Sequence, residues 1–293
     1  MIRRQRTLEE ACLSEFDPPI MITRPERLLT PALFCSPHSG SHYPADFISR
    51  SDQPLSSLRR NEDAFIDALF SKAPEYGAPL LAARFPRCFL DVNRAEDELP
   101  QKWLPRGETA TVRAQSGLGI IPTVLGENQP IYRRPLKPSV IKARIDALYH
   151  PYHNALKSLI ADARHHFGRA LLIDCHSMPG FAISGARRAD IILGDRYGTS
   201  CHPDTIAGVE ALFTQRGYSV ARNYPYAGSY VTSHYGQPHE GAEAIQIEIN
   251  RDLYLNPVTL KPKRGYERLE TDLETIIRSI IESENNSALL AAE

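Results

Sequence analysis

Two histidines of this chain directly follow apolar runs that have the length of β-strands. His38 comes after a predicted strand at 32–36, and His176 comes after a predicted strand at 170–174. Neutral imidazole is the commonest protein ligand of transition metals, and a catalytic zinc ion typically has three protein ligands and one position open to water. One such histidine is more often structural than functional. Two of them at equivalent strand ends make a metal site and a structural role equally good interpretations.

The third ligand of such a site has to be another histidine or a carboxylate. The chain contains neither an HExxH nor an HxxE motif, and Ser41 stands three positions after His38. Glu62 and Asp63 both border the apolar stripe of a helix predicted at 58–73, so either carboxylate is a candidate ligand. The structural alternative for both is an acidic residue near a helix start, where the helix dipole favours it. The residues by themselves leave both roles and both carboxylates open.

Glu248 alternates with isoleucines in a strand predicted at 244–249. It lies either on the face opposite to the isoleucines or inside a strand that is buried on both faces. A carboxylate near the middle of a sheet needs a cation, a metal ion or a bound water as its partner. Glu248 is therefore a candidate for chemistry, and the competing interpretation makes it a structural anchor paired with Arg251.

Asn93 and Arg94 follow a strand predicted at 87–91. The planar guanidinium group of an arginine is permanently charged and can bind a carboxylate through two parallel hydrogen bonds. The alternative is a surface ion pair of Arg94 with Glu96 or Asp97. Weaker candidates for lining a ligand pocket are Arg133, Asn223 and Tyr230.

Short apolar runs alternate with helical patterns, which predicts a three-layer α/β/α fold with a mixed, mostly parallel central sheet. In such sheets ligands bind beyond the carboxyl ends of the strands, where most of the candidate side chains stand. The predicted strands lie at 32–36, 79–83, 87–91, 170–174, 189–193, 218–222 and 244–249, and the predicted helices at 58–73, 140–167, 209–215 and 266–282. Pro151 is expected to kink the second of these helices.

The whole chain, 1–293, is predicted to form a single domain with a long irregular excursion at about 93–138. This stretch is rich in proline and glycine but also contains apolar residues, so we expect it to be ordered. A loop of this length inside a compact domain is usually functional.

Composition excludes several classes of protein. The 34 Lys and Arg residues against 35 Asp and Glu give a net charge of −1, which is not typical of proteins that bind nucleic acid or anionic lipid. Apolar stretches stay far below the roughly 20 residues that cross a membrane, and the N-terminus lacks the apolar core of a signal peptide. Five cysteines without a CxxC pair exclude a disulfide scaffold and a cysteine-type zinc site. We expect a soluble cytoplasmic protein.

Seven motifs occur in a characteristic order between about residues 33 and 254. They are SPHSG followed by YP, NEDAFIDALF, RCFLDVNR, LLIDCHS, LGDRYGTSC, RNYPYAGSYVTSHYG and AIQIEINRDLY. Each motif is unspecific alone, but together they resemble the N-formylglutamate amidohydrolase family, which is related to the zinc carboxypeptidases and the aspartoacylase-like enzymes. The resemblance implies a phosphorylase/hydrolase-like α/β/α fold. It also implies zinc-dependent hydrolysis of N-formylglutamate to formate and glutamate, a reaction of histidine degradation.

The resemblance also assigns roles to individual residues. It implies one zinc ion per chain, with His38, His176 and Asp63 rather than Glu62 as ligands. Glu248 matches the carboxylate that activates water in the related carboxypeptidases. The pair at positions 93 and 94 matches residues that hold a substrate carboxylate in those relatives. The expected partner is therefore a small molecule with a free carboxylate.

Two alternatives to this activity remain. The same machinery can serve another N-acyl amino acid or a peptide-like amide, or the fold can be a non-catalytic module that binds carboxylates. The family often has Gly-Gly where this chain has Gly228 and Ser229. The added side chain narrows a loop that is expected to border the pocket, which leaves the accepted acyl group open.

Overall fold

A computed structural model describes residues 8–104, 106–182 and 184–290 of the chain. The strands are β1 Ile20–Thr23, β2 Ala32–Ser36, β3 Leu80–Ala83, β4 Ala170–Met178, β5 Ile191–Gly194, β6 Val220–Arg222 and β7 Ala242–Asn250. The helices are α1 Leu8–Ser14, α2 Ala45–Arg50, α3 Leu55–Arg59, α4 Ile66–Leu69, α5 Val112–Gln115, α6 Pro138–Arg144, α7 His150–Phe167, α8 Pro203–Gln215, α9 Tyr230–Tyr235 and α10 Gly265–Leu290. Among the described residues, no helix combines the length and the apolarity that spanning a bilayer requires.

The strands form one mixed sheet in the order β1-β3-β2-β4-β7-β5-β6. β2 pairs in parallel with β3 and with β4, β4 pairs in parallel with β7, and β5 pairs in parallel with β6. Only the pairing of β5 with β7 is antiparallel among the strand pairs with a described register. The predicted α/β/α class with a mixed, mostly parallel sheet is confirmed.

Two of the sequence-based element predictions are wrong. Residues 87–91 are not a strand, because the chain turns there: the Phe89 amide donates to the Pro86 carbonyl at 2.8 Å. The helix predicted at 58–73 is broken between α3 and α4. Phe65 has a φ of 66°, in the left-handed region that a helix cannot continue through. Asp63 therefore lies in a turn and not on a helix face.

The contacts between Cα atoms divide the chain into two compact units. The first unit comprises the described parts of Met1–Met21, His38–Glu62 and Ala83–Asn154. The second unit comprises the described parts of Ile22–Pro37, Asp63–Ala82 and Ala155–Glu293.

In the second unit, β7 separates its apolar and polar side chains onto two faces. Its three isoleucines belong to the main hydrophobic core, which also contains residues of α4, α8 and α10. Gln246, Glu248 and Asn250 alternate with them and are buried as well. Because side chains alternate along a strand, these polar residues share the opposite face. Residue pairing between β4 and β7 places Asp174 beside Gln246 and His176 beside Glu248. One face of the sheet is therefore core, and the other carries the candidate chemistry.

The first unit is organised around a fully buried cation. The guanidinium group of Arg144 donates to Glu9 at 2.6 Å, to the Phe89 carbonyl at 2.9 Å and to the Tyr132 hydroxyl at 2.7 Å. It also lies 3.6 Å from the centroid of the Phe89 ring. Tyr132 belongs to the excursion at 93–138, so this network ties that segment to α1 and α6.

The helix predicted at 140–167 is interrupted. Between α6 and α7 the chain forms a π-helical turn at Ile145–Tyr149, just before Pro151. Proline lacks the amide hydrogen that continues an α-helical ladder, and π-turns are one way in which a helix accommodates such a break.

Candidate metal and catalytic site

His176 is the centre of a buried polar cluster at the carboxyl end of β4. Its Nδ1 lies 2.9 Å from Asp63 Oδ2 and its Nε2 lies 3.0 Å from Asp174 Oδ1. Asp174 and His176 are two positions apart on one strand, so both side chains point to the same face. Asp63 reaches them from the turn before α4. All three residues are at most 3% exposed.

The carboxylates around His176 favour a positive charge at this place. Burial alone lowers the pKa of the imidazole. The charge of Asp174 and the hydrogen bonds to Asp174 and Asp63 outweigh burial and raise the pKa well above its usual range, and the charge of Glu248 adds to the effect. The same balance of charge favours a bound cation beside these side chains.

The second oxygen of Asp63 is held by two donors. Oδ1 accepts hydrogen bonds from Ser177 Oγ at 3.0 Å and from Arg251 Nη2 at 2.8 Å. Arg251 Nε also donates to Ser177 Oγ at 2.9 Å. These bonds fix the rotation of the carboxylate, so that Oδ2 faces His176. Orientation of a ligand by outer hydrogen bonds is a common feature of metal sites.

His38 lies in the first unit and has a similar arrangement around one of its nitrogens. Its Nε2 lies 2.6 Å from Asp91 Oδ1, and both residues are 2% exposed. Burial raises the pKa of Asp91. The charges of Arg94, His38 and Arg87 outweigh burial and hold this pKa well below its usual range. Asp91 is therefore a fixed negative charge that orients the His38 ring.

His38, Asp63 and His176 form a buried group that could hold a metal ion. One ligand atom of each residue lies within 4.8 Å of the others. Two imidazoles and one carboxylate are a donor set that zinc takes at catalytic sites. Glu62, the other carboxylate considered, is paired with Arg59 at 2.9 Å. That Asp63 is the ligand and Glu62 is not stays a prediction.

Glu248 stands next to His176 across the parallel pair of β4 and β7. Its side chain is 7% exposed, and Oε1 accepts a hydrogen bond from Gln246 Nε2 at 3.0 Å. The carbonyl oxygen of the Gln246 side chain accepts in turn from the Ser229 amide at 3.0 Å. The loop before α9 thus holds Gln246, which holds Glu248. These two hydrogen bonds fix the orientation of the Glu248 carboxylate.

Arg94 is buried, and its donors are directed at the protein. Nε donates to the Leu118 carbonyl at 3.0 Å and Nη1 donates to the Asn93 carbonyl at 2.7 Å. Nη2 lies 3.6 Å from Asp91 Oδ2. The Asn93 amide also donates to Asp91, at 2.9 Å. Asn93 and Arg94 therefore surround the carboxylate that orients His38.

The three weaker candidates occupy different surroundings. Arg133 is exposed and lines a cavity of about 760 Å³ in the first unit together with Arg134 and Lys137. Asn223 donates from Nδ2 to Asp195 at 2.6 Å, and its Oδ1 accepts from the Asp195 amide, which braces a turn. Tyr230 begins α9 and stacks on a histidine of the same helix at 4.9 Å. Their roles as substrate-binding residues stay predictions.

Sequence reasoning did not assign roles to the carboxylates that orient the histidines. Asp174 had a local signal, because an Asp-x-His sequence in a strand places both side chains on one face. Asp91 and Arg251 had none, since Asp91 is 53 positions from His38 and Arg251 is 188 positions from Asp63.

Known proteins resemble this chain over most of its length. The model of the N-formylglutamate amidohydrolase family matches residues 30–255. The chain is 30% identical over 258 residues to the N-formylglutamate deformylase of Pseudomonas aeruginosa, covering 86% of this chain and 92% of that protein. It is 28% identical over 260 residues to the enzyme of the same name from Pseudomonas putida, covering 86% and 91%.

A solved structure gives the same result. The crystal structure of N-formylglutamate amidohydrolase from Ralstonia eutropha JMP134 superposes with a TM-score of 0.86 at 35% identity, covering 92% of this chain and 99% of that one. The matched family region, 30–255, contains the four candidate residues His38, Asp63, His176 and Glu248. The chain is therefore a hydrolase and belongs to the N-formylglutamate amidohydrolase family.

Proposed function

We propose that this chain hydrolyses N-formylglutamate to formate and glutamate with one zinc ion per chain. The observation that carries the proposal is the buried group of His38, Asp63 and His176 with Glu248 in the neighbouring strand position. The names of the two curated relatives and of the solved structure support the same substrate.

The donor set fits zinc in its chemistry. Nε2 of His38 faces Asp91 and Nε2 of His176 faces Asp174, whereas Nδ1 of His176 faces the other ligand, Asp63 Oδ2, at 2.9 Å. The two Nδ1 atoms and Asp63 Oδ2 are therefore the atoms that would bind the ion. A carboxylate partner keeps a histidine in the ligating tautomer and orientation. When bound, zinc would supply Lewis acidity, which polarises an amide carbonyl and makes water more acidic.

Glu248 carries the proton in the proposed reaction. It takes a proton from the attacking water and delivers it to the amide nitrogen as the bond between carbon and nitrogen breaks. Formate and the free amine of glutamate are then the two products, and the water is consumed. The hydrogen bond from Gln246 orients one oxygen of Glu248 for this task.

The substrate is a small molecule with a free carboxylate, which Arg94 is proposed to hold with the assistance of Asn93. A guanidinium group is suited to this role because it binds carboxylates bidentately. Arg133, Asn223 and Tyr230 are proposed to line the remainder of the pocket.

Formate release and metal content test the proposal together. The purified chain is assayed with N-formylglutamate and, for comparison, N-acetylglutamate, before and after removal and replacement of zinc. We expect about one zinc per chain, formate release that is lost on chelation and recovered on addition of zinc, and a preference for the formyl substrate. Zinc-loaded protein that releases no formate would contradict the substrate. Zinc well below one per chain, not restored by added metal, would favour the non-catalytic carboxylate-binding module.

A further inference from the structure

Arg188 places its guanidinium group just beyond the carboxyl end of β4. The chain leaves this strand at Pro179, three residues after His176, and returns in the opposite direction. The Arg188 amide donates to the Gly180 carbonyl at 2.9 Å, and Arg188 Nη1 donates to the Pro179 carbonyl at 2.7 Å. Backbone and side chain are therefore both fastened close to the strand that carries His176.

The segment that follows Arg188 is fastened to β7 in the same way. The Asn250 amide donates to the Asp190 carbonyl at 2.9 Å, and Asn250 Nδ2 donates to the Ala189 carbonyl at 3.3 Å. Asn250 is two positions beyond Glu248 on β7. Arg188 is thus held at the end of the sheet where His176 and Glu248 lie.

The rest of the Arg188 guanidinium group lacks an anionic partner. Nε is buried and has no hydrogen-bond partner among the described residues. No carboxylate in that part of the chain lies within 4.0 Å of the side chain, whereas Arg94 and Arg251 each approach an aspartate. The Arg188 side chain is half-buried, and its Nε–H, which has no protein partner and is closed to bulk water, costs free energy that a bound anion removes.

The ring of Tyr226 lies against this guanidinium group. Arg188 Cζ lies 5.3 Å from the centroid of the Tyr226 ring, an arrangement in which an aromatic face attracts a cation. Burial raises the pKa of Tyr226, the charges of Arg188 and Arg251 lower it, and the charges of Glu248 and Asp63 raise it. The charges of Glu248 and Asp63 therefore act on the ring that the Arg188 guanidinium group contacts.

We propose that Arg188 is a carboxylate anchor of the substrate site, which binds one carboxylate of a dicarboxylic N-acyl amino acid through Nε and Nη2. These two donors share one edge of the guanidinium group, and Nη1 is already bound to Pro179. The inference rests on the proposed function, because N-formylglutamate carries two carboxylates, of which Arg188 binds one. Arg188 extends the site to a dianion and makes it selective against substrates with a single negative charge.

The test compares the diacid with its two monoamides. N-formylglutamate, N-formylglutamine and the α-amide of N-formylglutamate are assayed with the zinc-loaded wild type and with Arg188→Met. We expect kcat/KM for the diacid to fall roughly 10- to 100-fold, as loss of a charge-assisted hydrogen bond would cause. The monoamide that lacks the carboxylate bound by Arg188 should lose little on the same substitution. Equal losses for all three compounds, or no loss for the diacid, would overturn the anchor.

Arg187→Met is the matched control. Arg187 is the preceding residue, its side chain is 69% exposed, and it lies 3.5 Å from Asp190. We expect it to leave all three rates unchanged. Melting temperature and zinc content of both variants show whether the fold and the metal group are retained.

Binding of glutarate separates failure of the anchor from failure of the proposed function. Glutarate has two carboxylates and no scissile amide, so its affinity for the zinc-loaded protein does not depend on catalysis. We expect Arg188→Met to weaken glutarate binding roughly 10-fold or more and to leave butyrate binding nearly unchanged. If the wild type binds glutarate through Arg188 but releases no formate, the anchor is supported and the proposed substrate is wrong. Equal glutarate affinity in wild type and Arg188→Met overturns the anchor, whatever the activity.

Discussion

His38 and His176 both place Nε2 against a carboxylate, but their surroundings carry opposite charge. Around His38, the carboxylate of Asp91 faces the cations of Arg87 and Arg94. Around His176, the three carboxylates of Asp63, Asp174 and Glu248 outnumber the two arginines placed at this end of the sheet, Arg251 and Arg188. We call the first region the Asp91 corner and the second the β4–β7 edge.

This difference indicates that the two regions have different roles. The hydrogen bonds of the Asp91 corner close on the protein itself, as the contacts of Arg94 with two carbonyls show. Its negative charge is compensated, and Asp91 orients one imidazole. The β4–β7 edge has an excess of negative charge and contains Arg188 with a donor still available. Excess carboxylates in a buried place favour a bound cation, and an available guanidinium edge favours a bound anion.

The largest expected effect is that of Glu248→Gln at the β4–β7 edge. Glutamine keeps the size of the side chain but cannot accept the proton, so we expect kcat to fall roughly 10²- to 10⁴-fold with zinc still bound. Single-turnover rates and zinc content are measured on one preparation. Glu243→Gln is the control, because Glu243 lies on the same strand and accepts bonds from Thr205 and the His202 amide. A zinc-loaded Glu248→Gln variant with lower melting temperature and intact kcat would make Glu248 a structural anchor.

Substitution of the neighbouring carboxylates Asp63 and Glu62 tests which of the two binds the metal ion. Asp63→Asn is expected to lower zinc affinity by more than the roughly 10- to 100-fold that loss of an outer partner costs. Glu62→Gln should retain zinc, since the carboxylate of Glu62 is paired with Arg59. Competition with a chelator gives both affinities. Zinc loss in Glu62→Gln, with zinc retained in Asp63→Asn, would reverse the assignment.

The two orienting carboxylates should behave alike toward metal and differently toward stability. Asp174→Asn and Asp91→Asn are each expected to weaken zinc binding roughly 10- to 100-fold, because each loosens one histidine. Asp91→Asn also leaves the charges of Arg87 and Arg94 without their carboxylate, so its melting temperature should fall further. Chelator competition and thermal unfolding measure the two effects. Unchanged zinc affinity in both variants would contradict the hypothesis that Asp174 and Asp91 orient the two histidines.

The smallest expected effect is that of Arg94→Lys in the Asp91 corner. Lysine keeps the charge but lacks the planar fork, so kcat/KM for N-formylglutamate should fall roughly 10- to 100-fold. We expect a fall in kcat/KM of about 10-fold, because two nitrogens of Arg94 already donate to carbonyls. Unchanged kinetics with lower stability would make Arg94 part of the support for Asp91 and leave Arg188 as the principal cation of the site.

Local patterns were sufficient for most of the sheet and for part of the site. The alternation of apolar and polar residues in β7 placed Glu248 on the face opposite to the isoleucines, since neighbouring side chains of a strand point to opposite faces. The α/β/α class followed from alternating strands and helices. The helix at 58–73 was wrong because its apolar spacing continues across a left-handed residue, Phe65, whose conformation no periodicity indicates.

Sequence by itself thus determined most of the elements, the order of the motifs and the residue types at the strand ends, because these depend on neighbours within a few positions. Only the tertiary structure decided how the side chains pair. Asp63 lies 113 positions from His176, and Leu118 lies 24 positions from Arg94. Which carboxylate faces the histidine, and which arginine keeps a donor available, depend on these distant contacts. Such contacts form only when separate segments pack together, so the local spacing of residues does not predict them.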